Sequence, residues 1–133
     1  MNIKHFFLAF LISCISVVSY GQTQEQFNTR AYNRYQKADK LLNQTYRNVL
    51  TEYKSDTEFI TNLKKSQRLW IAFRDAEVRV KYPNRGSGTY PSSHQMCWYS
   101  YLEDLTKKRT KELSVWINGI EEGDVCAGSV KKK

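Results

Sequence analysis

From about residue 24 to Asn118, apolar side chains recur every three or four positions in three successive stretches. That is the period of a helix with one buried face. In the first stretch Phe27, Ala31, Tyr35, Ala38, Leu42, Tyr46, Val49 and Tyr53 predict a helix over about 24–54, after a frayed start at "QTQEQ", 22–26. In the second, Phe59, Ile60, Leu63, Trp70, Ile71 and Val78 predict a helix from near Asp56 to about Lys81. "SDTE" at 55–58 reads as its capping box, Ser55 accepting from a first-turn N–H while Glu58 reaches back. Pro83 stops it. In the third, Trp98, Leu102, Leu105, Leu113, Trp116 and Ile117 mark a helix capped by Ser92 or Ser93 and closed by Gly119. No strand pattern, repeat or low-complexity linker interrupts them. A very short turn folds the first two helices back on one another, and the third returns after the loop "PNRGSGTYPSS". The expected fold is all-α: an elongated antiparallel three-helix bundle over 22–118, with a polar C-terminal tail over 119–133.

Polar residues interrupt this pattern in one zone. On a helical wheel with Leu63 at zero, Trp70 falls at about 340°, Arg74 at about 20° and Gln67 at about 40°, so a guanidinium sits mid-stripe. The third helix repeats the oddity: with Leu102 at zero, Arg109 falls at about 340° and Thr106 at about 40°. On the first helix Asp39 and Asn43 lie at about 60° and 100° from Leu42. With hairpin turns near residues 55 and 87, Asp39 comes level with Arg74, Asn43 with Gln67, and Gln67 with Arg109. Asp39, Asn43, Gln67, Arg74, Thr106 and Arg109 are therefore expected in one middle zone. A buried guanidinium needs partners. Either the zone is a satisfied polar layer that fixes helix register, or it lines a cleft where an arginine reaches an anionic ligand or partner carboxylate.

The start of the chain changes the picture of where the protein works. Lys4 and His5 precede "FFLAFLISCISVVSY", and Ser19 and Gly21 stand at the small-residue positions of a cleavage site. Residues 1–21 thus read as a secretory signal peptide, too short for a membrane anchor. The expected location is periplasmic or secreted. "LISC" at 11–14 resembles a lipoprotein box with Cys14 as the lipidated residue, but apolar "ISVVSY" follows it instead of a polar tether. The chain's net charge is +8. Such a balance favours acidic partners, or is plain solubility. An exported protein rarely meets nucleic acid, so none is expected as partner; Lys131, Lys132 and Lys133 offer weak contact to anionic surfaces.

After cleavage two cysteines remain, Cys97 and Cys126, which an oxidising compartment would join. The reach is tight. The tail from Asn118 to Cys126 spans at most ~28 Å, while Cys97 lies ~32 Å down an ideal helix. Either the third helix bends or starts late, or the cysteines pair between chains.

Candidate chemistry is sparse. His94 is the one histidine past the leader, so no Ser-His-acid or Cys-His arrangement can be assembled. A second acid to pair with Asp39 is missing from the buried faces, Glu77 lying at the stripe's edge. No metal-ligand cluster or cofactor motif occurs. Gly86 and Gly88 lack the Lys-Ser/Thr of a phosphate loop. The reading is a binding protein, not an enzyme.

The anchors Asp39, Leu42, Asn43 and Tyr46 ("ADKLLNQTY"), Gln67, Trp70, Arg74 and Asp75 ("QRLWIAFRD"), then Gly86, Cys97, Leu105, Thr106, Arg109 and Leu113 recur in a known order and spacing. Together they resemble the LprI-like lysozyme-inhibitor domain, a small helical domain of exported bacterial proteins, over about residues 30–115. The resemblance implies binding and inhibition of a lysozyme-type cell-wall hydrolase; an envelope interaction module without inhibitory activity is the alternative. An inhibitor would plug a glycan cleft with a loop, and Asn84, Arg85, Gly86, Ser87, Gly88 and Tyr90 form the obvious one, unless that loop is a mere connector. Similar proteins often carry a cysteine just after "RDAE" that could bridge to position 97; Val78 stands there here.

Overall fold

The structure, a computed structural model, describes residues 23–133. The signal peptide expected at 1–21 and the Cys14 lipidation site lie outside the described residues. Three helices follow one another: α1 (Gln24–Glu52), α2 (Thr57–Lys81) and α3 (His94–Asn118). The all-α bundle expected from the apolar periodicity is the fold observed.

The ends of the helices depart from expectation in three places. The start of α1 is not frayed: the Thr23 side chain accepts from Gln26 N, and Gln26 Oε1 accepts from Thr23 N, a reciprocal capping box. The cap of α2 is Asp56 rather than Ser55; its Oδ1 accepts from Phe59 N at 2.9 Å, beside the positive helix end where a carboxylate is favoured. Ser93 precedes α3 but makes no side-chain cap bond, because its backbone is already helical. Gly119 ends α3 as expected, at φ 73°.

α1 and α3 run parallel and pack closely along their length, while α2 runs antiparallel to both and stands further off. The side chains explain the difference. α1 presents buried Ala31 and Ala38, which let a neighbouring backbone approach. α2 instead puts Trp70, Gln67 and Arg74 into its interface, which hold it away. At the turn end of the bundle Leu42, Val49, Leu63 and Leu113 form the apolar core, with Tyr46, Phe59 and Trp116 packed around it. Full burial of each such aliphatic side chain contributes about 1.5–3 kcal/mol. Ile71, assigned to the stripe of α2, is 40% exposed: it lies about 80° from Leu63, past the edge of the buried face.

The C-terminal tail folds back. Ile120 pairs with Lys132, and Lys131 N donates to the Tyr53 hydroxyl, which itself donates to the Trp116 carbonyl. Trp116 Nε1 donates to Ser129 Oγ. Of the three terminal lysines, Lys131 is held by Glu52 at 2.6 Å.

Candidate functional site

Five of the six polar residues of the middle zone divide into two clusters on either side of one ring. In the first, the buried Arg74 donates from Nε to Asp75 Oδ1 at 2.9 Å and from Nη1 to Asp39 Oδ1 at 3.5 Å. Asn43 Nδ2 donates to the other Asp39 oxygen at 2.9 Å. In the second, Arg109 donates from Nε to Gln67 Oε1 at 3.1 Å, from Nη2 to Ser66 Oγ and from Nη1 to Glu112 Oε2. Between them stands Trp70, its ring 5.4 Å from the Arg74 guanidinium carbon and 5.9 Å from that of Arg109. A cation near an aromatic face is stabilised by the ring's quadrupole, so one indole serves both guanidinium groups.

The register deduced from the wheel therefore holds for Asp39 with Arg74 and for Gln67 with Arg109. Two members of the zone make no link between the clusters. Asn43 does not bridge to Gln67: it is exposed and turned to Asp39. Thr106 is fully buried and its hydroxyl oxygen bonds to none of the described groups, so it packs as an aliphatic residue. Asp75 was missed as the nearer partner of Arg74. Adjacent positions on a helix point about 100° apart, but a long arginine stem can turn its head sideways. Tyr35, 6.0 Å from the Arg74 guanidinium, has its hydroxyl pKa raised by burial, with Arg74 pulling the other way.

A third cluster was not anticipated. Glu103 is a buried carboxylate on α3, bonded by Arg34 Nε of α1 at 2.9 Å and by Lys107 at 2.6 Å. Burial alone would raise its pKa; the two cations outweigh that and hold it below the usual glutamate range. The i,i+4 spacing of Glu103 and Lys107 was the signal that could have found it.

The loop between α2 and α3 is anchored at its base. The Tyr90 ring stacks on His94 with centroids 4.0 Å apart, and its hydroxyl donates to the Pro83 carbonyl. Asn84 Oδ1 accepts from Gly86 N, and Thr89 Oγ1 donates to the Arg85 carbonyl. Gly86 and Gly88 both take positive φ, at 88° and 82°. Tyr82 meets His94 and Tyr101 edge to face and tilts against Trp98; burial raises the Tyr82 and Tyr101 hydroxyls, the latter also through Glu77. Arg85 and Ser87 stay exposed.

Cys97 and Cys126 are not bridged within the chain: both are free thiols. α3 begins before Cys97, and the tail uses its reach to fold onto the opposite helix end, through Ile120 and Lys132. Cys97 thus stays ~32 Å along the helix from Asn118. Among the described residues no three His, Cys, Asp or Glu side chains are grouped to hold a metal ion, and no helix is long and apolar enough to cross a membrane.

Comparison with known proteins adds the context. A family model described as lysozyme inhibitor LprI matches residues 14–113. An uncharacterized protein of Rhizobium meliloti (strain 1021) is 32% identical over 111 residues, covering 74% of this chain and 77% of that protein. The uncharacterized protein YecT of Escherichia coli (strain K12) is 38% identical over 69 residues, covering 49% of this chain and 41% of that protein. No solved structure matches.

Proposed function

Because the chain belongs to the lysozyme inhibitor LprI family, we propose that it is an exported binding protein that inhibits a lysozyme-type peptidoglycan hydrolase by protein–protein contact. The observation that carries this reading is the family match, which extends over 14–113. The family is one of inhibitors, not of enzymes. The anchored loop supplies the contacting element. Tyr90, Asn84 and Thr89 hold its backbone in place before any partner arrives, so less ordering entropy opposes binding. Arg85 stands exposed near the tip, where its guanidinium can meet the paired carboxylates of a glycosidase cleft bidentately. With a net charge of +8 the chain suits an acidic hydrolase better than a strongly basic one. Residues 1–21 direct export in this reading, and the polar zone around Trp70 fixes the bundle that presents the loop. An envelope module held at anionic surfaces by the terminal lysines is supported less, since Lys131 is engaged by Glu52.

The test is a turbidity assay of peptidoglycan lysis, with the purified protein titrated against one basic and one acidic lysozyme-type hydrolase. Slower lysis by the acidic enzyme is expected, with Arg85→Glu raising the half-inhibitory concentration tenfold or more. Undiminished inhibition by that variant removes the loop from the mechanism. Lysis unaffected by the unaltered protein defeats the reading.

A further inference from the structure

α2 ends where the loop begins, and α3 starts where it closes. The space between the end of α2, the loop and the start of α3 is a cavity of about 900 Å³. Ligand sites ordinarily enclose about 300–1,000 Å³, so a small organic molecule has room here. Its floor is aromatic. Tyr82, Tyr90, His94 and Trp98 supply it, each half-buried, so part of each ring stays open. No Leu, Ile, Val or Met among the described residues lines the cavity. An acyl chain or the apolar stripe of a helix packs best on such aliphatic side chains. Aromatic faces instead carry a negative quadrupole, which attracts the polarised C–H bonds on the flat face of a sugar ring.

The rim consists of neutral hydrogen-bonding groups and one guanidinium. Asn84 and Gln95 offer amides, Ser87 and Ser92 hydroxyls, and Arg79 the cation. A saccharide has the same two-sided character, an apolar ring face edged by hydroxyl and acetamido groups. An acetamido group pairs with a side-chain amide, each donating to the other.

Charge narrows the ligand further. No carboxylate among the described residues lines this cavity, whereas Asp56 and Glu58, Glu103, and Glu25 line grooves elsewhere on the surface. The acids that precede Arg79 on α2 are engaged: Asp75 holds Arg74, and Glu77 accepts from the Tyr101 hydroxyl. Arg79 forms no salt bridge with a described residue. A guanidinium on an acid-free rim favours a carboxylate.

The cavity is also held in shape. Tyr90 stacks on His94 and donates to the Pro83 carbonyl, so the loop cannot settle onto the floor without breaking both contacts. A preformed site loses little ordering entropy on binding. The same bond spends the Tyr90 hydroxyl, which a proline-rich peptide on an aromatic groove would need as a donor to its carbonyls.

We propose that this cavity binds a short N-acetylated glycan bearing a carboxylate, with a ring face on the aromatic floor and the carboxylate at Arg79. The site takes saccharide with no hydrolase present, so this inference does not rest on the inhibitor reading.

The test titrates the full purified chain with the disaccharide N-acetylglucosaminyl-N-acetylmuramic acid, and separately with its carboxamide, which lacks only the charge. The readout is the individually assigned indole N–H resonances of the three tryptophans by NMR. Saturable movement of the Trp98 resonance is expected, with those of Trp70 and Trp116 unmoved. The carboxamide should bind about fivefold more weakly, the scale of one ion pair at an exposed rim. Arg79→Gln, at an exposed position, should bind the acid no better than the carboxamide, with an unchanged circular dichroism spectrum. Four results overturn the proposal: no saturable movement at Trp98, movement of Trp70 or Trp116 in its place, equal affinity for acid and carboxamide, or full affinity for the acid in Arg79→Gln. Movement of Trp98 by decaproline but not by the disaccharide also overturns it, and assigns the cavity to a proline-rich segment.

Discussion

Arg74 is held chiefly by its own sequence neighbour. Nε and Nη2 both lie 2.9 Å from Asp75 Oδ1, whereas Nη1 reaches Asp39 on α1 only at 3.5 Å. The guanidinium is buried and both carboxylates are partly exposed, so the asymmetry has a consequence. Removing the arginine leaves acids that water can solvate. Removing the nearer acid leaves a buried cation with one long contact, and an uncompensated buried charge is the costlier outcome.

Asp75→Asn is therefore expected to lower stability by about 1–2 kcal/mol and Asp39→Asn by less, the exposure of both carboxylates keeping the figures well under those of a fully buried pair. Arg74→Met should erase most of the effect of Asp75→Asn in a double-mutant cycle read by urea denaturation. Coupling of Arg74 to Asp39 as large as to Asp75 would reverse the assignment of partners.

The parts legible in the sequence were those set by helical period. Three helices, their order and the level at which Gln67 meets Arg109 all follow from counting positions at 100° each, and the observed 3.1 Å bond between those two agrees. What escaped depended on side-chain reach and on the third dimension. The closest helix pair is α1 with α3, where the small Ala31 and Ala38 let the backbones approach; the apolar stripe of the first helix includes both but does not say which neighbour they face. Trp70 was placed in the core, but its position between two guanidinium groups depends on rotamers that no spacing encodes. Asp75 and Glu103 were overlooked as partners because they sit off the apolar stripe, and a long arginine crosses that angle. The folded-back tail left no periodic trace at all.

Glu103 makes stability depend on pH. Burial raises its carboxyl, but the bonds from Lys107 and Arg34 prevail and lower it. A carboxyl with a folded pKa below its unfolded value contributes stability that is complete above the unfolded value, near 4.5, and is lost as pH falls through the folded one. Glu103→Gln is expected to reduce stability at pH 7 by about 1–2 kcal/mol, since it removes charge-assisted bonds to two exposed cations. The gap from the unaltered protein should narrow at pH 3 in urea titrations. A gap that is constant from pH 7 to pH 3 would mean that the carboxylate charge contributes nothing.

Thr106 buries a hydroxyl oxygen without a bonding partner among the described residues. Valine keeps the shape and removes the desolvated polar atom. Thr106→Val should raise stability by about 1 kcal/mol, seen as a higher urea midpoint at unchanged slope. A loss instead of a gain would reveal a bond to the hydroxyl in solution.

The tail depends on Gly119. Its φ of 73° with ψ of 178° is a conformation open essentially to glycine, and a Cβ there would lie 2.8 Å from the Lys131 carbonyl oxygen. That oxygen accepts from Ile120 N at 3.0 Å, so the clash falls on the contact that docks the tail. Gly119→Ala should cost about 1–3 kcal/mol of strain or release the tail to avoid it. Release would speed amide exchange at Ile120 and Lys133 and shift Trp116 emission to the red, as its Nε1–H loses Ser129. Gly123 provides the control. It also has positive φ, at 94°, but a Cβ there meets nothing within 4 Å. Gly123→Ala should add backbone strain while leaving exchange at Ile120 and the Trp116 spectrum unchanged. Equal spectral shifts in both variants would show that the tail's docking does not run through the Gly119–Lys131 contact.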